Sequence, residues 1–399
     1  MAVAFLLLFD FTLVTNIFNI GSLFAPMAAE FSESVAGLGA LVSAYVLGRA
    51  VFELPGSLFA VRKGPKTLLT VGGCLASVPI ILSGLSTSFT EVLVLRCIGG
   101  AGFGFCFPQV TALIARNVRE TSAGMAMGLL FMTSNLAGMT GLFGYAELGL
   151  LLGWRESVFL SGGLLLAATL AMALAVRDDR TIGSIATNRH DVVDTLLNRQ
   201  LLILALLLIG IGGGSYLTWN FSVYYLQTQL GVPVALAGLL AGLAPAFALM
   251  APLAGKGYDR FQRMRLWILA AGAVMAGGLA LASNTQLDLA VASVALVGAA
   301  QGVGFTVVFA SVRGASGQRA RLEPLAFGWV DTLSLLGPLF APVVFSTVAL
   351  RSGYSAAWLF GGGFTAVFLL PLLFYKVRPE SPKSHPPAPA SVPSSPGRA

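Results

Sequence analysis

Apolar residues along this chain fall into twelve long blocks separated by short polar breaks, at about 2–25, 35–60, 67–86, 90–113, 124–147, 155–176, 200–226, 235–255, 266–284, 287–310, 325–349 and 355–376. Each block is close to the roughly 20 residues that an α-helix rising 1.5 Å per residue needs to cross a bilayer. The pattern predicts an all-α membrane protein with twelve transmembrane helices. The longest polar stretch before the tail, Arg177 to Arg199, divides the blocks six and six. We therefore expect an N-terminal six-helix bundle over 1–176, a linker over 177–199, a C-terminal six-helix bundle over 200–376 and a disordered tail over 377–399. From Pro379 onward the chain is rich in Pro and Ser and has too little apolar surface to fold. The first block lacks a basic leader and contains Asp10, Asn16 and Asn19, which argues against a removable signal peptide. Met1 lies almost at the membrane edge and leaves a longer start open.

Composition strengthens this picture. Hydrophobic residues make up 56% and charged residues 10% of the 399 positions, against about 25% charged in ordinary soluble domains. Mean hydropathy is +0.84, and a soluble core cannot absorb that much apolar surface. The net charge of +7 and pI near 9.6 would suit nucleic acid, but the basic residues sit in short loops and form no basic face, so we expect no nucleic-acid partner. Their placement instead sets orientation. One set of alternate loops carries Arg62, Lys63 and Lys66, then Arg116 and Arg119, the Arg177 to Arg199 stretch, Lys256 to Arg265, and Arg313 to Arg321; the opposite set has only Arg155 and Arg351. The positive-inside bias predicts both termini in the cytoplasm of a multi-pass plasma- or inner-membrane protein. Cys74, Cys97 and Cys106 are odd in number, lie in apolar blocks and show no metal-ligand spacing, and His190 and His385 stand alone in polar stretches. No metal and no cofactor are expected.

Markers recur about 200 residues apart, as a duplicated unit would give. Gly37 matches Gly238, Arg62 after Leu54-Pro55 matches Arg260 after Ala251-Pro252, and Gly153-Trp154 matches Gly353-Tyr354. A six-helix repeat keeps its orientation in the membrane, as in transporters with parallel halves.

At the loop motifs the chain resembles the major facilitator superfamily, from about residue 5 to 376. The run Ser57-Leu58-Phe59-Ala60-Val61-Arg62-Lys63-Gly64-Pro65-Lys66 is similar to the family's Gly-x-Leu-Ala-Asp-Arg-x-Gly-Arg-Arg signature, with Ser57 for the Gly and Val61 for the Asp. The second copy, Gly255 to Arg263, keeps the pair Asp259-Arg260. Arg96-Cys97-Ile98-Gly99-Gly100 is similar to Arg-x-x-Gln-Gly without the Gln. Ala137 to Leu142 stands where antiporter members carry Gly-x-x-x-Gly-Pro, so a drug or proton antiporter is disfavoured. The resemblance implies two pseudo-symmetric six-helix bundles and a secondary transporter that moves a small solute by alternating access, with Arg62, Gly64, Asp259 and Arg260 at a cytoplasmic gate.

Transport needs a midplane site and no covalent chemistry. Ionisable groups within spans are the informative ones, since each costs roughly 2.5–3.5 kcal/mol at a helix centre on insertion scales. They are Asp10, Arg49, Glu53, Arg96 and Asp331. Arg49 and Glu53 are four residues apart, hence on one helix face, and Arg49 lies about 20 Å in from the outer start of its block. They form either a structural ion pair or a substrate and proton site, and Glu53 is the expected coupling acid. Asp10 and Asp331 are each either interfacial charges or cavity groups, and Arg96 either snorkels outward or assists proton coupling. Among uncharged residues Asn19, Asn135, Asn220 and Tyr224, with Asn16, Gln109, Trp219 and Gln301, are candidates to line the cavity or to glue helices together. We expect a monomeric, proton-coupled carrier of a small organic solute in the lipid bilayer. The rivals are an uncoupled facilitator and a non-transporting receptor or scaffold; no enzyme motif is present.

Overall fold

The computed structural model describes residues 2–32, 35–176, 189–316 and 322–375. The expected tail over 377–399 and most of the expected linker lie outside them. The first six passes are α1 (Ala2–Phe31), α2 (Val35–Lys63), α3 (Pro65–Ser83), α4 (Phe89–Arg116), the pair α5 (Ala123–Met139) and α6 (Tyr145–Leu152), and α7 (Trp154–Ala175). A short helix α8 (Arg189–Leu196) follows. The remaining passes are α9 (Arg199–Thr228), the chain of α10 (Val234–Ala241), α11 (Leu243–Ala248) and α12 (Ala251–Phe261), then α13 (Met264–Leu281), α14 (Leu287–Ala315), α15 (Glu323–Ser334) and α16 (Leu336–Val367). Among the described residues eleven stretches are long and apolar enough to cross a membrane, and Ala123–Met139 with its continuation supplies the twelfth pass.

Several apolar blocks are interrupted where they were expected to be single helices, and proline explains most of the breaks. A proline ring meets the carbonyl four residues earlier and removes a backbone donor. Pro245, Pro252 and Pro338 therefore act on Ala241, Ala248 and Ser334, the residues at which α10, α11 and α15 end. The fifth pass is interrupted by a π-helical turn at Thr140–Gly144. Two sharp corners need backbone that only glycine adopts readily: Gly153 (φ 94°, ψ 163°) between α6 and α7, and Gly353 (φ 85°, ψ 167°) inside α16. Gly353 splits α16 into the last two passes. The Gly153-Trp154 and Gly353-Tyr354 markers of the repeat thus share one backbone shape.

Within the first six passes α4 packs on α2 and α3, and α7 on α3 and α1; within the last six, α9 packs on α16 and α14, and α13 on α14. The run Gly99 to Gly104 serves close packing on two sides. A Cβ at Gly100 would lie 2.0 Å from the Tyr45 carbonyl on α2, and one at Gly102 would lie 2.3 Å from Ala76 N on α3. Without a hydrophobic force between helices in lipid, such close approach is what joins them. Between the two sets of six, α5 meets α12 and α14, and α15 meets α2 and α4. Those seams position the site.

Candidate functional site

α2 and α15 face each other midway along the bundle, and their charges meet there. Arg49 Nε donates to Glu53 Oε2 at 2.9 Å, one turn along the same helix, and Arg49 Nη2 donates to Asp331 Oδ2 across the seam. Glu53 is fully buried and Asp331 nearly so. The guanidinium lies over the rings of Phe103 (4.7 Å) and Phe107 (5.2 Å), which adds cation–π attraction. No protein donor reaches Glu53 Oε1. One guanidinium meets two carboxyls, so the three groups are neutral together only when one carboxyl carries a proton.

Asp10, also fully buried, lies 2.7 Å from Ser134 Oγ on α5, and that hydroxyl is 3.0 Å from the Leu130 carbonyl. A hydroxyl has one hydrogen, so both contacts are hydrogen bonds when Asp10 itself carries a proton. Arg96 turns inward, not toward the outer surface. It is buried, donates to the carbonyls of Asn16 (2.8 Å) and Ile17 (3.5 Å) on α1, and lies over Tyr45 at 4.5 Å. Asn19 Nδ2 donates to Ser161 Oγ at 2.8 Å, and that hydroxyl donates to Asn16 Oδ1 at 2.5 Å. Asn16, Asn19 and Arg96 therefore tie α1 to α7 and α4.

A central cavity of about 130 Å³ opens beside this cluster and is bordered by Arg49, Asp331, Asn135, Tyr216 and Gln301. Phe131 on α5 and Phe305 on α14 close its floor edge to face at 5.6 Å, and Phe18 on α1 approaches Trp219 on α9 at 5.7 Å on the other side. Gln109 is buried on α4 and is not on the cavity wall. Asn220 is exposed and donates to the Tyr216 carbonyl. The side chain of Tyr224 lies outside the described residues.

The end of the bundle that carries the basic loops is closed by contacts between the two sets of six passes. Asp259 accepts from Gly124 N and Met125 N, both at 2.8 Å, and so caps the start of α5, where free N–H groups and the helix dipole favour a carboxylate. Gly255 allows this, since a Cβ there would sit 2.0 Å from the Gly124 carbonyl. Glu323, fully buried, pairs with Arg116 Nε at 2.8 Å and lies 3.1 Å from Arg313 Nε, an ion pair too bent to count as a hydrogen bond. Arg313 Nη1 also donates to the Ala115 carbonyl at 2.8 Å. Val192 and Leu196 of α8 pack against Val61, Leu322 and Leu325, and Trp329 Nε1 donates to the Leu196 carbonyl. Arg62 and Arg260 are exposed, Arg260 lying over the Phe261 ring, and Gly64 turns the chain from α2 into α3 at φ 86°.

The profile of the Major Facilitator Superfamily matches residues 2–322. The chain belongs to the Major Facilitator Superfamily. It is 30% identical over 227 residues to a probable sugar efflux transporter of Helicobacter pylori, covering 55% of this chain and 56% of that one. It is 29% identical over 157 residues to the 4-hydroxybenzoate transporter PcaK of Pseudomonas aeruginosa and 28% over 158 residues to the probable sulfoacetate transporter SauU of Cupriavidus necator, covering 39% of this chain and 35% and 37% of those relatives. These matches span about a third to just over half of the relatives' lengths. Among solved structures the fold is similar to FucP in the outward conformation (TM-score 0.77, 16% identity, 94% of this chain and 99% of that one) and to the human organic anion transporter MFSD10 (0.74, 16%, 93% and 98%). The chain is a multi-pass membrane protein of a solute-transporter family.

Sequence reasoning passed over Glu323, Ser134 and Tyr216. Glu323 directly precedes Pro324 at the start of the eleventh block, and an acid beside a proline at a helix start is the signal that would have marked it.

Proposed function

We propose that this protein is a proton-coupled secondary transporter of small organic solutes that works by alternating access. The observation that carries the reading is the cluster in which Arg49 bridges Glu53 on α2 and Asp331 on α15, with Arg49 and Asp331 bordering the central cavity. One acid comes from each set of six passes, so a proton held on this cluster joins the two sets. Losing it leaves two carboxylates facing each other, which repel and part. Proton release is thereby linked to rocking of 1–176 against 200–376 about the linker over 177–199. An uncoupled facilitator would need no such pair.

In the state described here the basic-loop end is held by Asp259 and by the Arg116, Glu323 and Arg313 cluster, and the cavity lies beyond it. With the basic loops in the cytoplasm, this is an outward-facing or occluded state of a plasma- or inner-membrane monomer with both termini inside. The curated relatives are named for a sugar, an aromatic acid and a sulfonate, and small organic solutes are the class we carry over.

The test is in two parts. Infrared difference spectra on acid-to-base titration should contain a protonated-carboxyl band that disappears in both Glu53→Gln and Asp331→Asn. In proteoliposomes with an imposed pH gradient, Glu53→Gln should abolish uphill accumulation of a small organic acid and keep downhill exchange. Unchanged gradient-driven accumulation by Glu53→Gln rejects the pair as the coupling site.

A further inference from the structure

Asn135 on α5 and Gln301 on α14 occupy matching places across the seam. Phe131 and Phe305 touch with centroids 5.6 Å apart, and each amide lies four residues from its phenylalanine, one helical turn farther from the basic loops. The two amides therefore lie one turn above an aromatic floor. Both border the central cavity at 7% and 9% exposure. Asn135 Nδ2 donates to the Phe131 carbonyl at 2.7 Å, but Asn135 Oδ1 and Gln301 Oε1 are buried with no hydrogen-bond partner. Trp219 Nε1, from α9, is a third buried polar atom on this wall without a partner. Buried polar groups are normally bonded, and exceptions mark places where something else binds. Two acceptors and one donor converging from both sets of six passes suit a hydroxyl, which gives one hydrogen bond and receives others.

The other end of the cavity offers a guanidinium donor. Arg49 commits Nε to Glu53 and Nη2 to Asp331, and Nη1 has no protein partner among the described residues. Between these ends the walls are aromatic, and about 130 Å³ is near the size of a single six-membered ring, since an engineered cavity of about 150 Å³ takes benzene. We infer that Asn135, Gln301 and Trp219 form a hydroxyl-recognising subsite, and that the solute is a single-ring hydroxy acid whose carboxylate meets Arg49. The hydroxyl donates to an amide oxygen and accepts from Trp219 Nε1. The Phe18 and Trp219 rings, 5.7 Å apart, part to admit it and close over it. Because the subsite draws on both sets of passes, a bound hydroxyl favours the occluded state. The inference rests on the proton-coupled reading, in which a proton balances the incoming anion.

The test is equilibrium binding to the full chain in lipid nanodiscs, with 4-hydroxybenzoate, benzoate and 4-hydroxybenzamide as probes at two pH values. 4-Hydroxybenzoate should bind tightest, with benzoate and the uncharged amide each weaker by about tenfold or more, because a site built for a hydroxyl strongly rejects the analogue lacking it. Asn135→Leu and Gln301→Leu should each weaken 4-hydroxybenzoate about fivefold or more and leave benzoate within about twofold, a difference that misfolding cannot produce. Equal binding of benzoate and 4-hydroxybenzoate, an undiminished hydroxyl preference in both variants, or no binding of any probe overturns the subsite. Failure of the proton-coupled reading has a separate mark: binding of the two acids that does not strengthen as pH falls.

Discussion

Replacing Glu323 by Gln should open the basic-loop end of the bundle. Glu323 is fully buried and holds two arginines from different sets of passes, Arg116 on α4 and Arg313 on α14, whose side chains are 12% and 24% exposed. Removing one partner of a buried ion pair costs about 3–5 kcal/mol when the remaining charge cannot reach water. These arginines are partly wet, so about 2 kcal/mol is the better figure. The Arg116 pair crosses between the two sets, so its loss falls on the closed state and changes the closed-to-open ratio about thirtyfold. A population of about 99:1 closed would fall to about 3:1. Spin labels at the exposed positions Lys63 and Arg263 report this directly, on a background with Cys74, Cys97 and Cys106 replaced. The distance distribution should gain a longer component in Glu323→Gln that is absent from the parent. An unchanged distribution would refute the assignment of Glu323 as a gate residue and leave it a static packing charge.

Asp259→Asn keeps the size of the capping side chain but removes its charge and one of its two acceptors, at a cost of about 1–3 kcal/mol to the closed gate; exchange in proteoliposomes should slow while binding stays within a few-fold, and a larger effect from Val61→Asp would contradict the asymmetry between the two motif copies. Gly353→Ala places a Cβ in open space but on backbone at φ 85°, so it should lower thermal stability by about 1–3 kcal/mol through strain alone; no change in melting temperature would remove the corner's need for glycine. Glu30 is held below the usual carboxylate range by hydrogen bonds from Arg155 and Trp154. A depressed acid contributes stability above its unfolded value and loses it as pH falls through its folded value, so Glu30→Gln should melt lower than the parent at neutral pH and match it in acid.

The fold was legible because the bilayer imposes a length and a polarity on every pass, and those two constraints are written in each apolar block. The broken passes were less so. Pro245, Pro252 and Pro338 are plain in the sequence, yet membrane helices tolerate proline when neighbours satisfy the freed carbonyls. Whether a proline bends a helix or ends it depends on those neighbours. The π-helical turn at Thr140–Gly144 has no proline at all and follows from packing against α1, where a Cβ at Gly141 would lie 2.9 Å from the Thr15 carbonyl.

For the site, the sequence supplied an inventory of buried charges but not their pairing. The spacing of Arg49 and Glu53 on one helix face is local and was readable. The partner Asp331 is 282 residues away, and only the docking of α15 on α2 brings it to the same guanidinium. The same docking turns a local ion pair into a three-group cluster containing one acid too many for its cation. Such an excess has a consequence that a simple pair lacks: the cluster is neutral only with a proton in it. In the proposed reading a proton on this cluster and a closed seam between α2 and α15 go together. The cavity beside it borders both Arg49 and Asp331, so a solute that contacts either one alters the balance that retains the proton. In the proposed reading, coupling between solute and proton needs no relay through the helices, because both would act on the same arginine.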